Sequence, residues 1–242
     1  MNGPPVLRDC LFVRCFSKKY YLEEFLSGKC LRMGSAESYW KMENGFQGDP
    51  FDCAVVSQSE DIKWSMWIGD DLPRAKICDA AEFSIGIQAY LYCMFAIPKA
   101  FFSVKDGELY IDKESPYHED FFRFLNEYVK SKGHAFVCAF DAASFMARIS
   151  KRLQEIGLQY TSGFVTYADR TIEERMSRFT SKEIEDIVFT KQKRYEYQRE
   201  YRVVVNSKTD IDHIDIDGVY MNGIVFLSGE YNPKKAATTN AD

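Results

Sequence analysis

The chain has 242 residues, 46% hydrophobic, 28% charged and 15% aromatic, enough apolar material for a substantial core. A formal net charge of -5 argues against a protein that coats nucleic acid by bulk charge, leaving only a local basic groove such as the run from Lys191 to Arg202. Seven cysteines without a CxxC pair and three histidines (His118, His134, His213) without ligand spacing exclude a zinc site or disulfide framework and point to reduced, buried thiols.

The N-terminal "MNGPPVLRDC" lacks the apolar core of a signal peptide. "CLFVRCFS" is a near-continuous apolar run, and so a buried strand, broken only by Arg14. "KKYYLEEFLSGK" then sets Tyr21, Leu22, Phe25 and Leu26 on one helical face and stops at Gly28, and "CLRM" follows as a strand. Residues 34–52, with three glycines, a proline and several carboxylates, read as a long functional loop with one helical turn. Strands are expected at Ala54–Ser57, Ile62–Ile68, Tyr90–Ile97 and Glu108–Ile111. The longest apolar run, about residues 89–102, is shorter than the roughly 20 residues of a membrane span and holds Pro98 and Lys99. An amphipathic helix over Glu119–Lys132 precedes the buried strand "HAFVCAF", and Asp141 caps a helix that runs to Glu155 and ends at Gly157. "LQYTSGFVTYA" reads as one or two strands and Thr171–Ile187 as a helix with an exposed face. Strands Glu200–Val205, Ile211–Ile216 and Gly223–Leu227 close the domain.

Short late turns exclude helical crossovers, so the expectation is an α+β fold with mixed or antiparallel sheets. It forms one domain over residues 1–232 with a flexible tail over 233–242. Neither GxGxxG nor GxxxxGK[ST] occurs, which disfavours dinucleotide-fold and P-loop sites. A cytoplasmic protein without membrane association is expected.

Three constellations carry candidate chemistry. Arg14, inside an apolar strand, needs a partner: a structural carboxylate, water at a strand end, or a phosphate or ribose in a cleft. Gln198 and Glu200, two apart at the mouth of a strand, share a face; together they grip a sugar, or Glu200 simply pairs with Arg199 or Arg202 at a solvated edge. In the loop, Ser35, Tyr39 and Trp40 offer a hydroxyl and flat rings for stacking. Asp49 and Asp52 bracket Pro50-Phe51 as turn caps. Trp64 and Trp67 read as core or interface rings, and His118 and His134 lack a nearby nucleophile.

Two resemblances meet on these residues. "FLSGKCLRM", "GDPFDCAVV" and "FTKQKRYEYQREYRVVV" resemble an uncharacterised bacterial family with an "lkngkl" segment, an NDPF(D/E) turn and a late ExEyR strand, often suspected of roles in phage conflict. Gly48 stands for the usual Asn and Gln198 for the first Glu. In layout, "LFVRCFSKKYYLEEFLSGKCLRM" and "QREYRVVV" resemble ADP-ribosyltransferases, which begin with an Arg- or His-bearing strand and end on a Q/E-x-E motif. That likeness implies a split β-sandwich with NAD, the substrate, in a cleft between two sheets. Arg14 would contact the dinucleotide, Ser35 or Tyr39 line the nicotinamide pocket, Glu200 be the catalytic carboxylate and Gln198 face the acceptor. A Gln at 198 points away from a guanidine acceptor. The implied function is a mono-ADP-ribosyltransferase toxin or antiphage defence effector acting on protein or nucleic acid, with an inhibitory partner protein. The alternatives are a non-catalytic binding or interaction module of the same fold, with Arg14 and Glu200 as a buried pair, and a nuclease holding a metal with Asp49, Asp52 and Glu200.

Overall fold

In the computed structural model the described residues are 6–40, 54–57, 75–78, 82–86, 89–105, 108–169, 174, 187–206 and 211–231. A 3₁₀ turn (Leu7–Asp9) leads into β1 (Cys10–Phe16), α1 (Lys19–Leu26), β2 (Leu31–Ser35) and α2 (Ala36–Trp40). Next come β3 (Ala54–Ser57), β4 (Ala75–Cys78), β5 (Glu82–Gly86), β6 (Ala89–Pro98), β7 (Phe102–Lys105) and β8 (Glu108–Ile111). Then follow α3 (His118–Lys132), β9 (Phe136–Asp141), α4 (Ala142–Glu155), β10 (Tyr160–Phe164), β11 (Thr166–Tyr167) and β12 (Thr190–Lys191). A 3₁₀ helix (Lys193–Gln198), β13 (Glu200–Asn206), β14 (His213–Ile216) and β15 (Val225–Glu230) complete the order. The strand expected at Ile62–Ile68, most of the helix expected over Thr171–Ile187 and the expected tail lie outside the described residues.

The architecture is mixed α+β. The main sheet has eight strands: β10-β13-β6-β1-β9-β15 in order, with β2 joining β6 and β14 joining β2. Every pairing in it is antiparallel; among the described residues only β11 and β12 pair in parallel. β3, β5 and β4 form a separate small antiparallel sheet, and β7 and β8 a hairpin.

Helices cover both faces of the large sheet, which is why β1 and β6 read as near-continuous apolar runs rather than alternating ones. On one face Phe12, Tyr92, Met94, Phe140, Tyr201 and Val203 pack with Leu22 and Phe25 of α1 and Phe145, Ile149 and Leu153 of α4. On the other, Leu11, Val13, Cys15, Phe95 and Val137 pack with Phe121, Leu125 and Tyr128 of α3 and with Tyr195 and Tyr197 of the 3₁₀ helix. The aromatic richness of the sequence is spent here: Phe12 meets Phe140, Phe145 and Tyr201 at centroid distances of 6.1, 6.2 and 4.9 Å. Among the described residues no helix is long and apolar enough to cross a membrane.

One irregularity positions the site. β1 and β6 pair only from Cys10↔Pro98 to Val13↔Phe95. Beyond that point β1 stays with β9 as far as Phe16↔Phe136, while the same edge of β6 is taken up by β2 at Leu91 and Tyr90. The sheet therefore forks. Among the described residues no strand lies against the edge of β6 between these two neighbours, and Arg14 Nη1 donates to the Cys93 carbonyl there.

At the start of α4, Asp141 Oδ1 accepts from the Ser144 amide at 2.8 Å and Oδ2 from Lys99 Nζ at 2.5 Å. Burial would raise this carboxyl, but Lys99 and Ser144 outweigh it and hold it below the usual aspartate range. Asp141→Ala is expected to lower stability by about 1–2 kcal/mol in urea unfolding, and Asp141→Asn by less, because the amide oxygen still caps the helix. Because the native carboxyl titrates below its unfolded value, the difference between wild type and Asp141→Asn is full at neutral pH and shrinks as pH falls below about 4.

Candidate functional site

The fork opens onto a cavity of about 70 Å3 lined by Val13, Arg14 and Cys15 of β1, Cys93 to Phe95 of β6, Tyr39, Phe124, Tyr128, Lys191, Gln198 and Glu200. Arg14 enters from β1, Tyr39 from α2, Lys191 from β12, Gln198 from the end of the 3₁₀ helix and Glu200 from the first position of β13. Four of the five residues to which the ADP-ribosyltransferase likeness gives roles thus line one cavity. Ser35 does not line it; its Oγ accepts from the Ser38 amide at 3.1 Å and so starts α2, the element that carries Tyr39.

Glu200 is the centre of a buried ion cluster. Its Oε1 accepts from Arg202 Nε at 2.5 Å and its Oε2 from Lys191 Nζ at 3.1 Å. Lys191 Nζ also donates to Gln198 Oε1 at 2.7 Å. Lys191, Gln198, Glu200 and Arg202 are 5, 6, 6 and 0% exposed, so none of this is a solvated strand edge. Arg202 anchors the cluster through Nη1, which donates to the Val188 carbonyl at 2.7 Å. Burial alone would raise the Glu200 carboxyl; the charges of Arg202 and Lys191 and hydrogen bonds from Arg202 and the Cys93 thiol outweigh it and hold the carboxyl far below its ordinary range. Glu200 is therefore ionised at neutral pH.

Gln198 and Glu200 reach the same cavity by a route that simple strand alternation does not describe. The 3₁₀ helix ends at Gln198, Arg199 adopts the left-handed conformation (φ 41°, ψ 48°), and β13 begins at Glu200. A non-glycine residue there costs about 1–2 kcal/mol. The turn is held from outside: Arg199 Nε donates to Asp120 Oδ2 of α3 at 2.7 Å, and its guanidinium lies 5.2 Å from the Tyr117 ring centroid. From inside, the Ala96 amide donates to the Arg199 carbonyl at 3.0 Å, and the Glu200 amide to the Tyr167 hydroxyl at 2.8 Å.

Arg14 is the cation of the fork. Besides its bond to the Cys93 carbonyl it lies 4.7 Å from the Tyr92 ring centroid, while its buried Nε has no hydrogen-bond partner among the described residues. Among the described residues no carboxylate pairs with it, and it does not bridge to Glu200. Tyr39 approaches the backbone of Gly34 so closely that a Cβ at position 34 would lie 3.0 Å from Tyr39 Cε2 and 3.1 Å from its hydroxyl oxygen. Glycine there is what lets the ring lie over the cavity. Burial raises the Tyr39 phenol to about 12, so it is neutral.

Lys191, Arg202 and Cys93 belong to the site but were not singled out from the sequence. Lys191 was legible only as a member of a basic run, Arg202 as that and as one possible partner of Glu200 at a solvated edge, and Cys93 only as a buried thiol. Asp49 and Asp52 lie outside the described residues, and among the described residues no group of three His, Cys, Asp or Glu is placed to hold a metal. The two cations bracketing Glu200 oppose a divalent cation at that carboxylate. Comparison of the chain with protein-family models, curated proteins and solved structures finds no match.

The cluster alters what Glu200→Gln does. Removing one member of a buried ion pair costs about 3–5 kcal/mol, because the partner is left charged and dry. The variant is expected to lose stability of that order in chemical unfolding at pH 7. Its acid limb should be flatter as well. The native carboxylate stabilises the fold above the unfolded glutamate value of about 4.5 and loses that contribution as pH falls below it. A variant as stable as wild type at pH 7, with an unchanged acid limb, would contradict the cluster.

Proposed function

We propose that the protein binds NAD at the fork cavity and transfers ADP-ribose to a macromolecular acceptor, protein or nucleic acid, releasing nicotinamide. The observation that carries this reading is the convergence of Arg14, Tyr39, Gln198 and Glu200, from opposite ends of the chain, on one cavity at the split of the sheet. The likeness to the ADP-ribosyltransferase layout rests on this fork alone, since helices cover both faces of the eight-stranded sheet.

The chemistry asks for what these groups supply. When the bond between nicotinamide nitrogen and ribose C1′ breaks, its electron pair leaves with nicotinamide and positive charge develops on the sugar. Glu200, kept anionic by its two cations, stabilises that charge without itself taking a proton. Arg14, half-buried and with no carboxylate partner among the described residues, offers its planar fork to a phosphate oxygen. The neutral Tyr39 ring provides a flat wall for nicotinamide, and Gln198 lies where the acceptor approaches.

A specific observation favours a second reading, a non-catalytic binding module. Both oxygens of Glu200 are already paired, and about 70 Å3 is well below the roughly 300 Å3 or more of an ordinary ligand pocket. NAD binding at the fork therefore requires side chains to move aside.

The two readings part in one assay. Purified protein with labelled NAD and cell lysate is expected to release nicotinamide and label a macromolecule. Arg14→Gln and Gly34→Val, each checked for folding by circular dichroism, are expected to cut release by about tenfold or more, the loss of one charged or packing contact in the transition state. NAD that raises the thermal midpoint without nicotinamide release would establish the binding module and end the transferase reading.

A further inference from the structure

Among the described residues Arg199 is the one non-glycine with a positive φ, and it stands between Gln198 and Glu200. Its backbone is tied on both sides. The Arg199 amide donates to the Glu196 carbonyl at 3.1 Å, closing the 3₁₀ helix, and its carbonyl accepts from the Ala96 amide at 3.0 Å. From Glu200 onward the chain is set by the ladder between β13 and β6, which begins at Glu200↔Phe95. The placement of Gln198 beside Glu200 therefore turns on the torsions of residue 199. With a negative φ there, the 3₁₀ helix would leave β13 in another direction and carry the Gln198 side chain with it.

An arginine resists the left-handed conformation, because its Cβ crowds the following carbonyl oxygen, so the surrounding structure must hold it. The grip comes from α3. Arg199 Nε and Nη2 both reach Asp120 Oδ2 at 2.7 Å, and the two side chains are 34 and 24% exposed, so water screens the pair only in part. The Tyr117 ring centroid lies 5.2 Å from the same guanidinium. Arg123, further along α3, lies 4.0 Å from the Tyr197 ring centroid and ties the body of the 3₁₀ helix to the same element. Asp120 also sits in the first turn of α3, where the helix dipole favours an acid whatever it touches. The dipole accounts for an acid at this position, but not for its oxygen lying on the side chain of the strained residue.

We propose that Asp120 is a positioning residue of the site: through the Arg199 guanidinium it holds the left-handed turn that keeps Gln198 beside Glu200. Without the acid the strain loses its grip, and the turn relaxes toward negative φ. A glycine at 199 needs no grip, since it takes the left-handed conformation freely. The placement of Gln198 stands on this geometry, while its consequence for an acceptor rests on the transferase reading. Glu200 stays on its ladder in either case, so nicotinamide release survives and transfer to the acceptor suffers.

The test compares wild type with Asp120→Ala, Arg199→Ala, Arg199→Gly and the Asp120→Ala/Arg199→Gly double variant, each verified as folded. Hydrogen exchange of the Ala96 amide, which is bonded to the Arg199 carbonyl, reports the turn. Relative to interior β13 amides it is expected to quicken about tenfold in Asp120→Ala and Arg199→Ala, and to hold within about twofold in the two glycine variants. In the labelled-NAD assay the ratio of transfer to nicotinamide release is expected to fall about tenfold in the same two variants and to hold in the glycine pair. Wild-type exchange in Asp120→Ala, a rise shared equally by the β13 amides, or an effect of Asp120→Ala undiminished in the Arg199→Gly background overturns the proposal. An unchanged transfer ratio also overturns it and leaves the transferase reading standing. Wild type that releases no nicotinamide ends the transferase reading, and the exchange pattern alone then decides the role of Asp120. Should Asp120→Ala not fold, Asp120→Asn in both backgrounds takes its place, with an expected change of about threefold, since a neutral acceptor grips roughly half as strongly.

Discussion

A single carboxylate held between two buried cations organises this end of the molecule. Glu200 could not remain charged at 6% exposure without Arg202 on its own strand and Lys191 across from it. The cluster joins β12, the 3₁₀ helix and β13. It also fixes Gln198 beside Glu200 through the shared ammonium of Lys191. Stability and chemistry are therefore coupled here: the pairing that keeps the carboxylate available in its charged form also keeps the chain folded around it.

The second constraint is the fork. An antiparallel sheet that loses a strand pairing exposes a backbone edge, and a buried edge must find donors. Here Arg14 supplies one to the Cys93 carbonyl, so the guanidinium that marks the cavity is also what closes the gap β1 leaves beside β6. The left-handed Arg199 plays a comparable part on the far wall: its strained turn, clamped by Asp120, ends a 3₁₀ helix and starts a strand within one residue. Both devices place polar side chains at a break in regular structure, where a ligand can approach without unpairing a ladder.

Much of the architecture was legible because it follows from local pattern. The apolar runs of β1, β6, β9 and β13, the helical stripe of α3, the cap at Asp141 and the stop at Gly28 are set by side chains within a few positions of one another, and the structure has them where they were expected. β4, β5, β7 and the 3₁₀ helix before Gln198 carry weaker local signals and were missed. In the candidate site, Arg14 was conspicuous because a charge in an apolar strand demands an explanation. Glu200 was conspicuous because its neighbours are so polar. That Glu200 pairs with Arg202 was among the readings open from spacing alone, but as an exposed edge rather than a dry cluster.

By itself the sequence determined an α+β chain with antiparallel late strands, buried apolar strands, and two chemically loaded segments at opposite ends. Periodicity, caps and composition act over a few residues, which is the range a sequence displays directly. Only the tertiary structure decided that Lys191 stands between Gln198 and Glu200, that Ser35 caps a helix instead of facing the cavity, and that Arg14 spans a fork without meeting a carboxylate among the described residues. Those outcomes depend on where β1 parts from β6 and which strand comes next, a balance of backbone pairing and buried charge among segments far apart in the chain.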